Sequence, residues 1–135
     1  MADLLINIDV SDLEEAIRFY EQAVGLQLGR RLFAGTVAEM LGSSSPLYLM
    51  LKQPNSSPSD YTSQLRDYQR HWTPVHLDFI VHDLESAVER ATQAGAKLEG
   101  ELQSFSWGRQ AVMSDPFGHG FCLVQWTGGG YDEVA

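Results

Sequence analysis

Polar and apolar residues alternate from Leu4 to Val10 (LLINIDV), which predicts a strand with Ile6, Ile8 and Val10 on one face. Leu5, Asn7 and Asp9 fall on the other face. The period then lengthens. Leu13, Ala16, Ile17, Tyr20 and Val24 recur at the spacing of a helix that buries one stripe. Asp12, with Glu15 three residues on, is placed to cap its start, and Gly25 to stop it. Three more apolar runs follow, Gln27–Leu32, Ala34–Leu41 and Pro46–Leu51, broken by turn formers such as LGSSSP.

The same order returns further along. Val75 to Val81 (VHLDFIV) alternates with Val75, Leu77, Phe79 and Val81 on one face and His76, Asp78 and Ile80 on the other. Asp83 caps a second helical pattern marked by Leu84, Ala87, Val88, Ala91 and Ala94, which Gly95 ends. DLEEAIRFYEQA at 12–23 and DLESAVERATQA at 83–94 share six of twelve residues at an offset of 71. Strand candidates Lys97–Leu102, Arg109–Met113 and Phe121–Trp126 complete the second set. A strand, a helix and three strands, repeated, predict an α+β chain of two tandem βαβββ modules with helices packed on one face of each sheet. Module 1 runs over about residues 1–53 and module 2 over about 74–127, with a tail at 128–135. Between the modules, 54–73 begins as a Ser/Pro/Asn loop and turns aromatic and polar over Tyr61 to Trp72, where a short helix or an edge strand is expected. A lid over a pocket and a plain surface linker are both open for it.

Composition narrows the chemistry. The 135 residues carry 18 acidic and 9 basic side chains, a net charge of -9, and no Lys/Arg cluster, which argues against nucleic acid as a partner. An acidic surface suits a cationic ligand or simply keeps a protein soluble. Cys122 is the single cysteine, so no intrachain disulfide can form, as in a reducing compartment. With no signal-like N-terminus and no apolar run long enough to span a bilayer, a cytoplasmic protein is expected.

The strings VSDLEEAIRFYEQAVGLQL, VHLDFIVHDLESAVERATQAGAKL and SDPFGHGFCLVQW occur in the order and spacing of the vicinal-oxygen-chelate (glyoxalase/bleomycin-resistance/dioxygenase) superfamily, which this chain resembles. In the third string His119 stands where the family's turn usually has Asn. The resemblance implies a curved mixed sheet forming a trough, with the helices outside, and a homodimer. It also implies a divalent metal held by His or Gln and Glu on the first and last strands of each module. Carried over one at a time, those positions are Leu5, about Tyr48, His76 and Cys122. Only His76 keeps a family ligand. No metal and no other cofactor is therefore expected; His76 and Cys122, sharing Asp78 or Tyr48, form the alternative divalent site.

Alternation places Asn7, Tyr48, Met50, His76, Asp78, Cys122 and Trp126 on the inner faces, with Phe105 and Trp107 at one end. These are the candidate ligand-binding residues, a mixture of apolar and polar side chains suited to a small molecule. His76 and Asp78 are two apart on one strand and point the same way. A carboxylate beside an imidazole makes it a better base, so His76 is the candidate catalytic base and Asp78 its orienting partner. Two functions stay open: a glyoxalase-like lyase or isomerase abstracting a proton beside a carbonyl, and a metal-free protein of the bleomycin-resistance type that sequesters a cationic antibiotic. Cys122 is read mainly as core, and His71, His82 and His119 as solvated.

Overall fold

The structure, a computed structural model, describes residues 1–135 and divides into two compact units, Met1–Gln69 and Arg70–Ala135. The first is built from β1 (Ile6–Val10), α1 (Leu13–Val24), β2 (Gln27–Leu32), β3 (Val37–Leu41) and β4 (Leu47–Leu51). Its sheet runs β1-β4-β3-β2, with β1 parallel to β4 and the remaining pairs antiparallel. Asp12 is extended and its carboxylate accepts from the Glu15 amide at 3.0 Å, while Gly25 takes the left-handed conformation at φ 75°. Phe19 and Ala23 are buried beside the expected Leu13, Ala16, Ile17 and Tyr20, so the apolar stripe is wider than periodicity indicated, and Val24 is only half-buried. That stripe lies on β2, β3 and β4, where Val37, Ala38, Met40, Leu47 and Leu49 are buried.

The second unit repeats this plan. It contains β5 (Leu77–Ile80), α2 (Leu84–Ala94), β6 (Lys97–Leu98), β7 (Gln103–Ser104), β8 (Gly108–Ser114), β9 (Gly120–Trp126) and a closing 3-10 helix, Gly130–Val134. The order is β5-β9-β8-β6, with β5 parallel to β9 and β7 also paired to β8. Asp83 and Gly95 cap α2 as Asp12 and Gly25 cap α1. Leu84, Ala87 and Ala91 are its buried positions; Val88 and Ala94 are half-buried. The protein is thus mixed α+β, with sheets of four and five strands and one helix packed against each. Neither helix is long and apolar enough to cross a membrane.

Three expected elements differ. The strand expected from Ala34 starts at Val37, because Phe33, Ala34 and Gly35 all take positive φ in a turn closed by Leu32 and Phe33 carbonyls. The run expected over Lys97–Leu102 keeps only β6, Lys97–Leu98, ending before Gly100 at φ 88°, and β7 begins beyond it at Gln103. Tyr61 to Trp72 forms neither helix nor strand. There, Ser59, Thr62 and Asp67 side chains accept from amides two residues on (Tyr61, Gln64 and Gln69), and such local bonds compete with regular structure. The segment is held to the first unit by Arg66. Its Nε donates to Asp9 at 2.7 Å, and its Nη1 donates to the Ser56 hydroxyl and the Ser57 carbonyl.

Candidate functional site

Parallel pairing of β5 with β9 sets Asp78 opposite Cys122, one rung from Leu77/Phe121 and Phe79/Leu123, pairs in which Phe121 and Leu123 belong to the core. Because successive side chains alternate between faces, Asp78 and Cys122 share the face opposite those core residues. His76 precedes β5 by one residue, and its Nε2 lies 3.2 Å from Asp78 Oδ1. The Cys122 sulfur lies within 4.8 Å of the same carboxylate. Burial, then the charge of Asp78, push this thiol up to about 11, so it is protonated at neutral pH. Imidazole nitrogen, carboxylate oxygen and sulfur all lie within 4.8 Å of one another. Asp78 is therefore the middle of a three-residue cluster.

His76 and Cys122 of this cluster line a pocket of about 350 Å³, together with Arg70, Trp72, Gln110 and Phe121. Sequence reasoning missed Arg70 and Gln110, and placed Trp72 in the segment between the modules while counting it among the tryptophans suited to a cationic ligand. Arg70 spans its end of the pocket by a bidentate pair to Glu99, at 2.7 and 3.0 Å, while Nη1 donates to the carbonyls of His71 and Gly118. A Cβ on Gly120 would come within 2.6 Å of the Arg70 guanidinium, so the glycine after His119 allows this close approach. That glycine was the one available signal. His119, read from sequence as solvated, is instead half-buried. It donates through its backbone amide and meets the buried Asp115 carboxylate through Nδ1 at 2.8 Å, edge-on to His71. Its part is to tie the turn that leads into β9.

The other candidates fall into two groups. Phe105 and Trp107 stack at 5.1 Å, and Trp107, Trp126 and Tyr131 meet at 4.7 to 6.2 Å. Tyr131 comes from the closing 3-10 helix, so the Gly-rich tail folds back onto this cluster. In the first unit, register puts Asn7, Tyr48 and Glu39 in one row across β1, β4 and β3. Tyr48 donates to Glu39 at 3.0 Å and Arg30 grips the same carboxylate at 2.9 and 2.7 Å. Arg30 foremost holds the Glu39 carboxyl down to about 2, and the hydrogen bond to Glu39 raises the Tyr48 phenol. Met50 is half-buried two rungs from Tyr48, and Asn7 is exposed.

The metal implied by the family's strand positions does not suit this donor set. Leu5 has no ligand atom, the Tyr48 hydroxyl is committed to Glu39, and a thiol replaces the family's Glu at Cys122.

Fold and site together define a vicinal-oxygen-chelate protein. The Glyoxalase-like domain family matches residues 5–124, and the chain belongs to it. An uncharacterized protein of Mycobacterium bovis is 41% identical over 54 residues, covering 39% of this chain and 36% of that relative. The chain thus matches only about a third of the relative's length. TnmS3, an antibiotic binding protein from a Streptomyces species, is 26% identical, with a TM-score of 0.66 covering 94% of this chain and 97% of that one. The fosfomycin resistance protein FosX of Listeria monocytogenes shares the fold at TM-score 0.74, covering 99% and 98%, with 17% identity.

Proposed function

We propose that this chain binds a small oxygenated organic molecule in the second unit's pocket, where the His76–Asp78 pair exchanges a proton with a carbon next to a carbonyl. The observation that carries this is a pocket lined by His76, whose Nε2 lies 3.2 Å from the Asp78 carboxylate. In this reading Asp78, 3.2 Å from Nε2, favours the tautomer with its proton on Nε2, which leaves the His76 lone pair on Nδ1. The proton moves from carbon to Nδ1, and the electron pair it leaves moves onto the carbonyl oxygen as an enolate. The test is proton-deuterium exchange of small 2-oxo acids and aldehydes in D₂O, followed by NMR. Exchange that His76→Ala abolishes and Asp78→Asn slows supports the reading; exchange unchanged in His76→Ala overturns it.

The second reading is sequestration without turnover, supported by the 26% identity to an antibiotic binding protein along almost the whole chain and by the net charge of -9. In it, the ligand is a cationic antibiotic, and Phe105, Trp107 and Trp126 supply aromatic faces. Saturable binding to glycopeptide antibiotics with no deuterium exchange in any substrate favours this reading. Binding at a hundred-fold excess over Kd raises stability by about 2.7 kcal/mol, which a thermal-shift screen detects. We also propose a homodimer as the working state and a reducing cytoplasm as its compartment, the latter because the lone Cys122 has no disulfide partner within the chain.

A further inference from the structure

Arg70 is the only lysine or arginine that lines the pocket. Its Nε–Nη2 edge is filled by the Glu99 carboxylate at 2.7 and 3.0 Å, and its Nη1 donates to the carbonyls of His71 and Gly118. A two-point contact of this kind is how a guanidinium recognises a carboxylate, so Glu99 takes the place that a bound carboxylate would need. Arg70 foremost holds the Glu99 carboxyl below its ordinary value, which keeps it charged at neutral pH. The position of this pair matters for the chemistry beside it. Gly120 abuts the guanidinium, where a Cβ would come within 2.6 Å of Nη2. His76 and Gly120 each precede the paired residues Leu77 and Phe121 by one position, so imidazole and guanidinium share one end of the pocket. An acid group next to the reacting carbonyl would fall at that end.

Resting on the reading that this pocket takes a small oxygenated molecule, we infer that Glu99 determines its specificity. Glu99 occupies Arg70 as a built-in carboxylate, restricts the ligand to uncharged carbonyl compounds and turns away 2-oxo acids. With Arg70 cancelled by Glu99, the charge left facing a ligand is that of Asp78 beside His76. A carboxylate arriving there meets like charge, finds no cation to offset it and still loses its hydration. An uncharged carbonyl loses far less, and Trp72, Val112 and Phe121 supply apolar surface to it. The Arg70 and Glu99 side chains are 42% and 33% exposed, so the fold does not depend on their pairing. Without Glu99, Nη1 still anchors Arg70 to the two carbonyls, and the freed Nε–Nη2 edge becomes available to a carboxylate.

The experiment titrates the whole ¹⁵N-labelled chain with pyruvate and with pyruvamide, probes of one size and shape that differ by a charge. NMR shifts of the Trp72 indole and the Cys122 amide report on the pocket. Wild type is expected to bind pyruvamide about tenfold or more tightly than pyruvate. Glu99→Gln and Glu99→Ala should each raise pyruvate affinity about tenfold or more while leaving pyruvamide affinity nearly unchanged. Adding Arg70→Gln to either variant should remove the gain. Glu101→Gln, which takes the same charge from an exposed position two residues on, should give none. Equal wild-type affinity for the two probes overturns the assignment, as does a wild type that binds neither. So does pyruvate affinity unchanged in both Glu99 variants, or a gain that Glu101→Gln matches. Titration reads binding and not turnover. If no compound exchanges deuterium, the proton-exchange reading falls and the charge preference is still measured. If the probes bind alike while exchange still depends on His76, only the role of Glu99 falls.

Discussion

Glu39 shows how single side chains are held in this protein. It is 6% exposed and still charged, because Arg30 grips both carboxylate oxygens and Tyr48 donates a third hydrogen bond. Its carboxyl lies at about 2 in the folded protein against an ordinary 4.5. A depressed folded value means that the group's contribution to stability is complete above the unfolded value and is lost as pH falls toward the folded one. Wild-type stability should therefore drop between about pH 4.5 and 2, and Glu39→Gln, less stable at pH 7, should show a shallower drop. Urea midpoints at a series of pH values check this; parallel curves for the two proteins would refute it. In the second unit, Asp78 plays a comparable organising part between His76 and Cys122. That His76 and Asp78 share a face was legible from their spacing of two. That Cys122 sits directly opposite Asp78 was not, since strand pairing joins residues 44 apart through a register no local pattern records.

At the scale of elements, the helices were the most legible parts. Asp caps, Gly stops and the 3.6-residue period act within one or two turns, so neighbouring residues alone encode them. Gly25 tests this directly. At φ 75°, with nothing within 4 Å of an added Cβ, Gly25→Ala meets backbone strain but no clash. It should cost about 1 kcal/mol, seen as a lower urea midpoint at unchanged slope. A loss of several kcal/mol would mean that the space around the cap is not open. Strand ends and the segment after Lys52 were less legible. Positive φ at Phe33 and Ala34 has no residue signature comparable to glycine. The 54–69 segment owes its course to Arg66 reaching Asp9, a partner 57 residues away.

For the molecule as a whole, the duplication is clear in both sequence and topology: each unit runs strand, helix, then strands, with its first strand parallel to its last. Several apolar side chains remain exposed in the single copy, among them Leu5, Val75, Ile80 and Trp126. The proposed homodimer predicts a solution mass of twice 15.0 kDa by light scattering, and a species of 15.0 kDa alone at working concentration would exclude it. What the sequence by itself determined is the repeated order of elements, their caps, the apolar faces, and the departure from the family's metal ligands at Leu5 and Cys122. These are properties of residue identity and of periods no longer than a helical turn. Only the tertiary structure decided that Arg70 closes a pocket with Glu99, that Arg30 holds Glu39 with Tyr48, and that a thiol, a carboxylate and an imidazole meet. Each of those depends on which strands pair and in which register. Burial across the whole unit selects that register, because a slip of one residue would turn every core side chain outward.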